Sequence, residues 1–173
     1  MTSDNILRGF PPVADPDARI LILGSMPGEE SLRLRQYYGH KKNQFWDLMG
    51  DLFGAGRDVP YAVRLQRLRA RRIGLWDVVH ECRRQGSLDA AIEADTVRPN
   101  DFETLFEACP GIEAIFFNGQ KAEGLFRRHV RPGLEPLFAD IETLCLPSTS
   151  PAHASLSREA KRAQWLAIRE HLA

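Results

Sequence analysis

The sequence predicts an α/β fold, a three-layer α/β/α sandwich built on a four-stranded parallel sheet. Two observations carry this. Short apolar runs alternate along the chain with longer amphipathic stretches, the pattern of parallel strands joined by crossover helices. The short runs are also mainly apolar without alternation, as in RILIL from Arg19 to Leu23, the mark of strands covered on both faces.

Each element follows from its residues. Residues 1–18, rich in Pro and Asp, read as a leader wrapping the surface, and residues 19–173 as a single domain. Arg19 to Leu23 (RILIL) is a first strand ending at Gly24. The turn Gly24-Ser25-Met26-Pro27-Gly28 then leads into a polar, aromatic loop. Phe45, Leu48, Met49, Leu52 and Phe53 recur at helical spacing, so a helix starts near Asn43 and stops before Gly54-Ala55-Gly56. Tyr61 to Arg72 reads as a basic helix with Val63, Leu65 and Leu68 facing inward. Ile73 to Val79 is a second buried strand, followed by a polar loop from His80 to Ser87. Asn-Asp-Phe-Glu from Asn100 reads as a capping box opening a helix with Phe102, Leu105 and Phe106, which Pro110-Gly111 ends. Ala114 to Phe117 is a third strand, followed by Asn118-Gly119 and a helix near Lys121 to Arg128. Thr143 to Leu146 is a fourth strand, and Ser157 to Leu172 a last helix with Trp165, Ile168 and Leu172 on one side.

Composition narrows the function classes. A chain of 173 residues with 43% hydrophobic content can bury one ordinary core. No apolar stretch approaches the roughly 18 residues of a membrane span, and the first ten residues lack the apolar and basic marks of a secretion signal. The expectation is a soluble, cytoplasmic monomer. Cys82, Cys109 and Cys145 form no CxxC pair, and His40, His80, His129, His153 and His171 are scattered, so neither a metal nor an iron–sulfur cluster is expected. The turn GSMPG lacks both the GxxxxGK[ST] lysine and the GxGxxG spacing, which argues against nucleotide cofactors; no cofactor is expected. Formal net charge is zero, yet Arg33 to Arg72 carries ten Lys/Arg against three Asp/Glu. Such asymmetry permits a basic face, although charge runs are more often plain solvated surface.

The strand ends line up Gly24, Asp77, Asn118 and Leu146-Pro147-Ser148 along one edge of the sheet, where ligands of open α/β folds bind. Two loops rise from that edge. One is the stretch from Leu23 to Trp46; the other is LPSTSPAHA from Leu146 to Ala154. Ser and Thr in the second can donate to phosphate oxygens, or simply close a strand-to-helix turn.

At this pair of loops the chain resembles the uracil-DNA glycosylase superfamily, and most its hypoxanthine-DNA glycosylase (DNA-deoxyinosine glycosylase) family. The matching segments are GSMPGEESLRLRQYYGHKKNQFW, GLWDVVHECRRQGSLDAAI, FFNGQKA and LPSTSPAHA, in the family's order. The resemblance implies a DNA repair enzyme that flips one deaminated base, hypoxanthine or else uracil or xanthine, out of DNA and hydrolyses its N-glycosidic bond. DNA carrying such a base is then the partner. No lysine stands at a recognisable Schiff-base position, so the expected product is an abasic site without strand cleavage. A uracil- or mismatch-specific enzyme and a noncatalytic nucleic-acid-binding α/β domain remain the alternatives.

The resemblance also distributes roles. Better-known branches place a water-positioning Asp or Asn in the first turn; Met26 stands there, and the matching asparagine of the hypoxanthine family is Asn43. An amide does not titrate, so Asn43 can orient water or bond the leaving base without acting as a strong base. Its position also suits a helix N-cap. Tyr38 matches a base-stacking aromatic, with core packing as the other reading. Gly24, Ser25 and Met26 would floor the base pocket. Asp77 and Asn118 would read the base edge, unless they only bond neighbouring loops. His40, Lys41, Lys42, Ser148, Thr149, Ser150 and His153 would contact DNA, with Ser150 to His153 wedging into the vacated stack; a plain surface histidine is the other reading of His40. Leu146 stands where related enzymes polarise the base carbonyl with His or Asn.

Overall fold

The computed structural model describes residues 5–173. In chain order the elements are β1 (Ile6–Arg8), β2 (Ile20–Gly24), α1 (Glu29–Leu34), α2 (Phe45–Phe53), α3 (Tyr61–Ala70), β3 (Ile73–Asp77) and β4 (Val79–Arg83). There follow β5 (Arg98–Pro99), α4 (Phe102–Ala108), β6 (Ala114–Asn118), α5 (Gln120–His129), α6 (Pro136–Ala139), β7 (Glu142–Leu146) and α7 (Arg158–Leu172).

Four of the strands form the expected parallel sheet, in the order β3-β2-β6-β7. Central β2 is the most apolar and the most deeply placed, with Ile20 to Leu23 fully buried. Neighbouring residues of β6 show why both faces must be covered. Phe117 packs on Phe126 of α5, while the adjacent Phe116 meets His171 of α7. Side chains alternate across a strand, so α4 and α5 cover one face and α2 and α7 the other. Phe102 of α4 bridges Trp76 and Phe126 on the first face, and Phe45 meets Trp165 on the second. The three-layer α/β/α reading therefore holds.

Registers put the strand ends level. Gly24 lies opposite Asp77, Leu23 opposite Phe117, and Asn118 opposite Leu146. The outer edge of β3 is closed by Val13, which exchanges backbone hydrogen bonds of 2.9 and 2.8 Å with Leu75. Closing an edge in this way removes a template for unwanted pairing.

Three local readings are corrected. The polar loop expected from His80 begins instead as β4, the middle strand of a small antiparallel sheet ordered β1-β4-β5. Val79 and Cys82 are its buried residues, and its polar remainder hides the strand pattern in the sequence. The loop after the first turn contains α1, a short helix with Glu29 and Glu30 in its first turn, where acidic residues suit the helix dipole. The capping residue of α4 is Asp101 rather than Asn100; its carboxylate accepts from the Thr104 N–H at 3.1 Å and the Thr104 hydroxyl at 2.7 Å. Asn100 instead turns inward and donates to the Asp77 carbonyl at 2.7 Å. No helix among the described residues is long and apolar enough to cross a membrane.

Candidate functional site

The site forms where β2 and β3 end side by side. After Asp77 the chain leaves the parallel sheet, held to the first turn by bonds from Val78 N–H to Gly24 O and Val79 N–H to Ser25 O. Gly24 must lack a side chain here. A Cβ would stand 2.5 Å from Asp77 Oδ1 and 3.0 Å from the Tyr38 hydroxyl, so the two polar groups crowd over the bare glycine.

Both groups are short of partners. The Tyr38 hydroxyl and Asp77 Oδ2 are buried and make no hydrogen bond of good geometry. Buried polar atoms of folded proteins are nearly all bonded, and an orphan costs about 1–3 kcal/mol. Burial pushes the Asp77 carboxyl up to about 7; the negative charge of Asp89 adds to this and Arg84 opposes it. Burial likewise drives the Tyr38 phenol well above its usual range, with the charge of Asp77 helping and the neighbouring Asn118 amide opposing. Tyr38 takes a left-handed backbone, φ 54°, uncommon for a bulky residue, and its ring lies stacked on Phe45 with centroids 3.9 Å apart. One face of that ring is thus already filled.

The first turn is clamped from the segment after β4, which the sequence did not mark as part of the site. Ser25 donates to Asp89 Oδ1 at 2.6 Å, and the Glu29 N–H donates to the Ser87 hydroxyl at 2.9 Å. Arg84, 5% exposed, donates to Pro27 O and Gly86 O, each at 2.8 Å, and leaves Nη1 buried without a partner. In the sequence the GSLD stretch stood out only as part of a segment matching the resembled family. Met26 is buried, as pocket floor or scaffold requires.

Asn43 sits just ahead of α2. The helix is capped at Gln44, but the Asn43 side chain accepts from the Phe45 N–H at 2.9 Å, so it serves the helix start from one position further out. Arg57 holds the same turn from below, donating to the carbonyls of Asn43 at 2.6 Å and His40 at 3.2 Å. His40, Lys41 and Lys42 are exposed on that turn, with His40 Nδ1 accepting from the Lys42 N–H.

The last loop is pinned by its own pair. Asn118 and Thr149 exchange two hydrogen bonds, Thr149 N–H to Asn118 Oδ1 and Asn118 Nδ2 to Thr149 Oγ1, both 2.9 Å. Thr149 O then accepts from the Gln44 N–H at 3.0 Å, which ties the two loops together. Gly119, at φ 98°, lets β6 turn tightly beside Ser148. Thr149 is 1% exposed, so its side chain braces the loop and does not meet solvent. Ser148 and Ser150 are half-buried and His153 is exposed, which leaves these three on the accessible side. Lys161 secures the far end by donating to His153 O at 2.7 Å.

The structure thus gathers Gly24, Ser25, Tyr38, Asp77 and Asn118 at one strand edge, flanked by the loops that carry Asn43 and Ser148. The chain is similar to known proteins. The family model of the uracil DNA glycosylase superfamily matches residues 11–172. A hypoxanthine DNA glycosylase of Methanosarcina acetivorans is 41% identical over 169 residues, covering 96% of this chain and 99% of that protein. A hypoxanthine DNA glycosylase of Methanosarcina barkeri is 42% identical over 116 residues, 66% of this chain and 72% of that protein. The solution NMR structure of an M. acetivorans protein assigned to the uracil DNA glycosylases superposes with a TM-score of 0.76 at 41% identity, covering 96% of this chain and 98% of the other. On sequence and fold together, the chain belongs to the uracil DNA glycosylase superfamily, in its hypoxanthine DNA glycosylase family.

Proposed function

We propose that this protein removes hypoxanthine from DNA, hydrolysing the N-glycosidic bond of the flipped deoxyinosine and leaving an abasic site without cutting the strand. The observation that carries the reading is the buried, unpartnered Tyr38 hydroxyl and Asp77 Oδ2, on two side chains that crowd over Gly24. Hypoxanthine presents adjacent N1–H and O6 groups. Ionised Asp77 accepts from N1–H and the Tyr38 hydroxyl donates to O6, so one base edge relieves both orphans. Adenine offers a bare N1 and an amino group, which face carboxylate and hydroxyl less well. Tyr38 then acts through its hydroxyl, since Phe45 already fills one face of the ring.

Chemistry falls to fixed dipoles. Asn43 orients the attacking water through its amide, held in place by the Phe45 N–H and by Arg57 on its carbonyl. His40, Lys41 and Lys42 on one loop, with Ser148, Ser150 and His153 on the other, grip the DNA backbone around the flipped nucleotide. Uracil carries the same N–H and carbonyl edge at N3 and O4, as do guanine and thymine, so this pair admits uracil and leaves discrimination from normal bases to pocket shape and to how readily each base unstacks. Duplexes carrying hypoxanthine, uracil, xanthine or undamaged adenine, treated with alkali after incubation, test the reading. Strand breaks at hypoxanthine above those at adenine are expected. A folded protein that breaks none of the duplexes overturns it.

A further inference from the structure

The mechanism above leaves one requirement without a residue. Breaking a glycosidic bond builds positive charge on the sugar, and a nearby carboxylate is the group that best stabilises it. Met26 in the first turn and Leu146 at the end of β7 carry no charge, and the amide of Asn43 carries none either. Asp77 is buried and is already committed to the base edge. A second carboxylate that reaches this edge is Asp89, bonded to Ser25 in the clamp segment that the proposed function does not use.

Its setting is specific. Asp89 begins a 3₁₀ turn over Asp89–Ala91, and its Oδ1 accepts from Ser25 of the first turn at 2.6 Å. The side chain is half-buried beside the first turn. Its charge reaches both orphaned groups of the pocket, Asp77 and Tyr38. The unpartnered Asp77 Oδ2, on a residue 4% exposed, marks the ligand side of this cluster independently.

We propose that Asp89 is the carboxylate that stabilises the cationic sugar during base excision, aimed by its hydrogen bond from Ser25. This inference rests on the glycosylase reading. Water oxygen bonds to C1′ as the C1′–N9 electron pair leaves with the purine; water releases a proton to solvent and the purine takes one up. Asp89 lowers the barrier by charge alone and exchanges no atom.

The test is Asp89→Asn, whose amide oxygen keeps the bond from Ser25 while losing the charge. Single-turnover excision of hypoxanthine is expected to fall on the order of 100-fold, the scale of one charge at close range in a protein site. Affinity for DNA is expected to hold or to tighten, since a negative charge beside phosphates has gone. A structural role would weaken both together. A second readout needs no chemistry: a duplex bearing a cationic pyrrolidine in place of the sugar is compared with one bearing neutral tetrahydrofuran. The wild-type protein is expected to favour the pyrrolidine duplex about tenfold or more, and Asp89→Asn to lose that preference. Should Asp89→Asn not fold, Ser25→Ala, which frees the carboxylate without removing it, is expected to reduce the preference in part. Excision by Asp89→Asn within about threefold of wild type, or an unchanged pyrrolidine preference in a folded variant, overturns this inference and leaves the glycosylase reading standing. A wild-type protein that excises no base overturns that reading, and this inference with it.

Discussion

Replacing Asp77 by asparagine separates the cost of the pocket from its use. The Asp77 carboxyl is carried from 3.8 to about 7, first by burial and then by the charge of Asp89. Below about pH 4 it is protonated in folded and unfolded chains alike and its effect is constant. Between about pH 4 and about pH 7 the unfolded chain releases the proton and the folded one keeps it, so stability falls as pH rises. Above that window both forms are ionised and the loss is complete. At about 1.4 kcal/mol per pH unit, the full loss approaches 4 kcal/mol. Asparagine removes the titration. Denaturant unfolding of both proteins at about pH 4 and about pH 8.5 is the assay, read as the difference between them. The difference cancels shared contributions, such as His129, which burial holds below its usual value and which adds stability across part of the same window. Asp77→Asn is expected to gain about 3–4 kcal/mol on wild type between the two conditions. A difference that stays constant with pH to within about 0.5 kcal/mol refutes the argument, because Asp77 is then not desolvated as the geometry requires.

Three further substitutions address the rest of the site. Gly24→Ala places a methyl group against Asp77 Oδ1 and Tyr38, so it is expected to cost about 1–3 kcal/mol in thermal or denaturant unfolding and to cut excision at least tenfold. Asn43→Ala loses the bond to the Phe45 N–H, worth about 1 kcal/mol in unfolding, yet is expected to lower single-turnover excision about 100-fold; full activity in the folded variant refutes its role. Lys41→Ala with Lys42→Ala is expected to weaken DNA binding and to flatten the logarithmic salt dependence by about 1–2, measured by titration across salt concentrations.

What the sequence revealed follows from how each element is buried. β2, β3 and β6 were legible because each is a largely apolar run with a polar or small residue at its end, while the shorter apolar part of β7 follows Glu142 and Thr143. Asp77, Asn118 and Gly24 could be placed at one edge from that pattern alone. β4 was not legible, because it is half polar and finds its partner in the N-terminal segment. α1 is too short and too polar to show periodicity. The Asn-Asp pair at Asn100 and Asp101 offers two good caps, and only the inward turn of Asn100 decides between them. Asn43 was found by resemblance, and local spacing agreed with it. The contacts that aim the site were hidden for another reason. Ser25 with Asp89, Arg84 with Pro27, and Asn118 with Thr149 join residues 64, 57 and 31 positions apart, and no local pattern reports such pairs.

The bond from the Gln44 N–H to Thr149 O, with the Asn118–Thr149 exchange beside it, has a bearing on how a lesion is found. These links couple the loop ahead of α2, the end of β6 and the loop after β7 before any DNA arrives. A protein scanning a long duplex meets intact bases overwhelmingly, and each trial must be brief. With the receiving loops already joined, no loop closure has to be repeated at every trial. The energetic test is then left to the duplex itself, where a deaminated, mispaired base is the one that unstacks most readily.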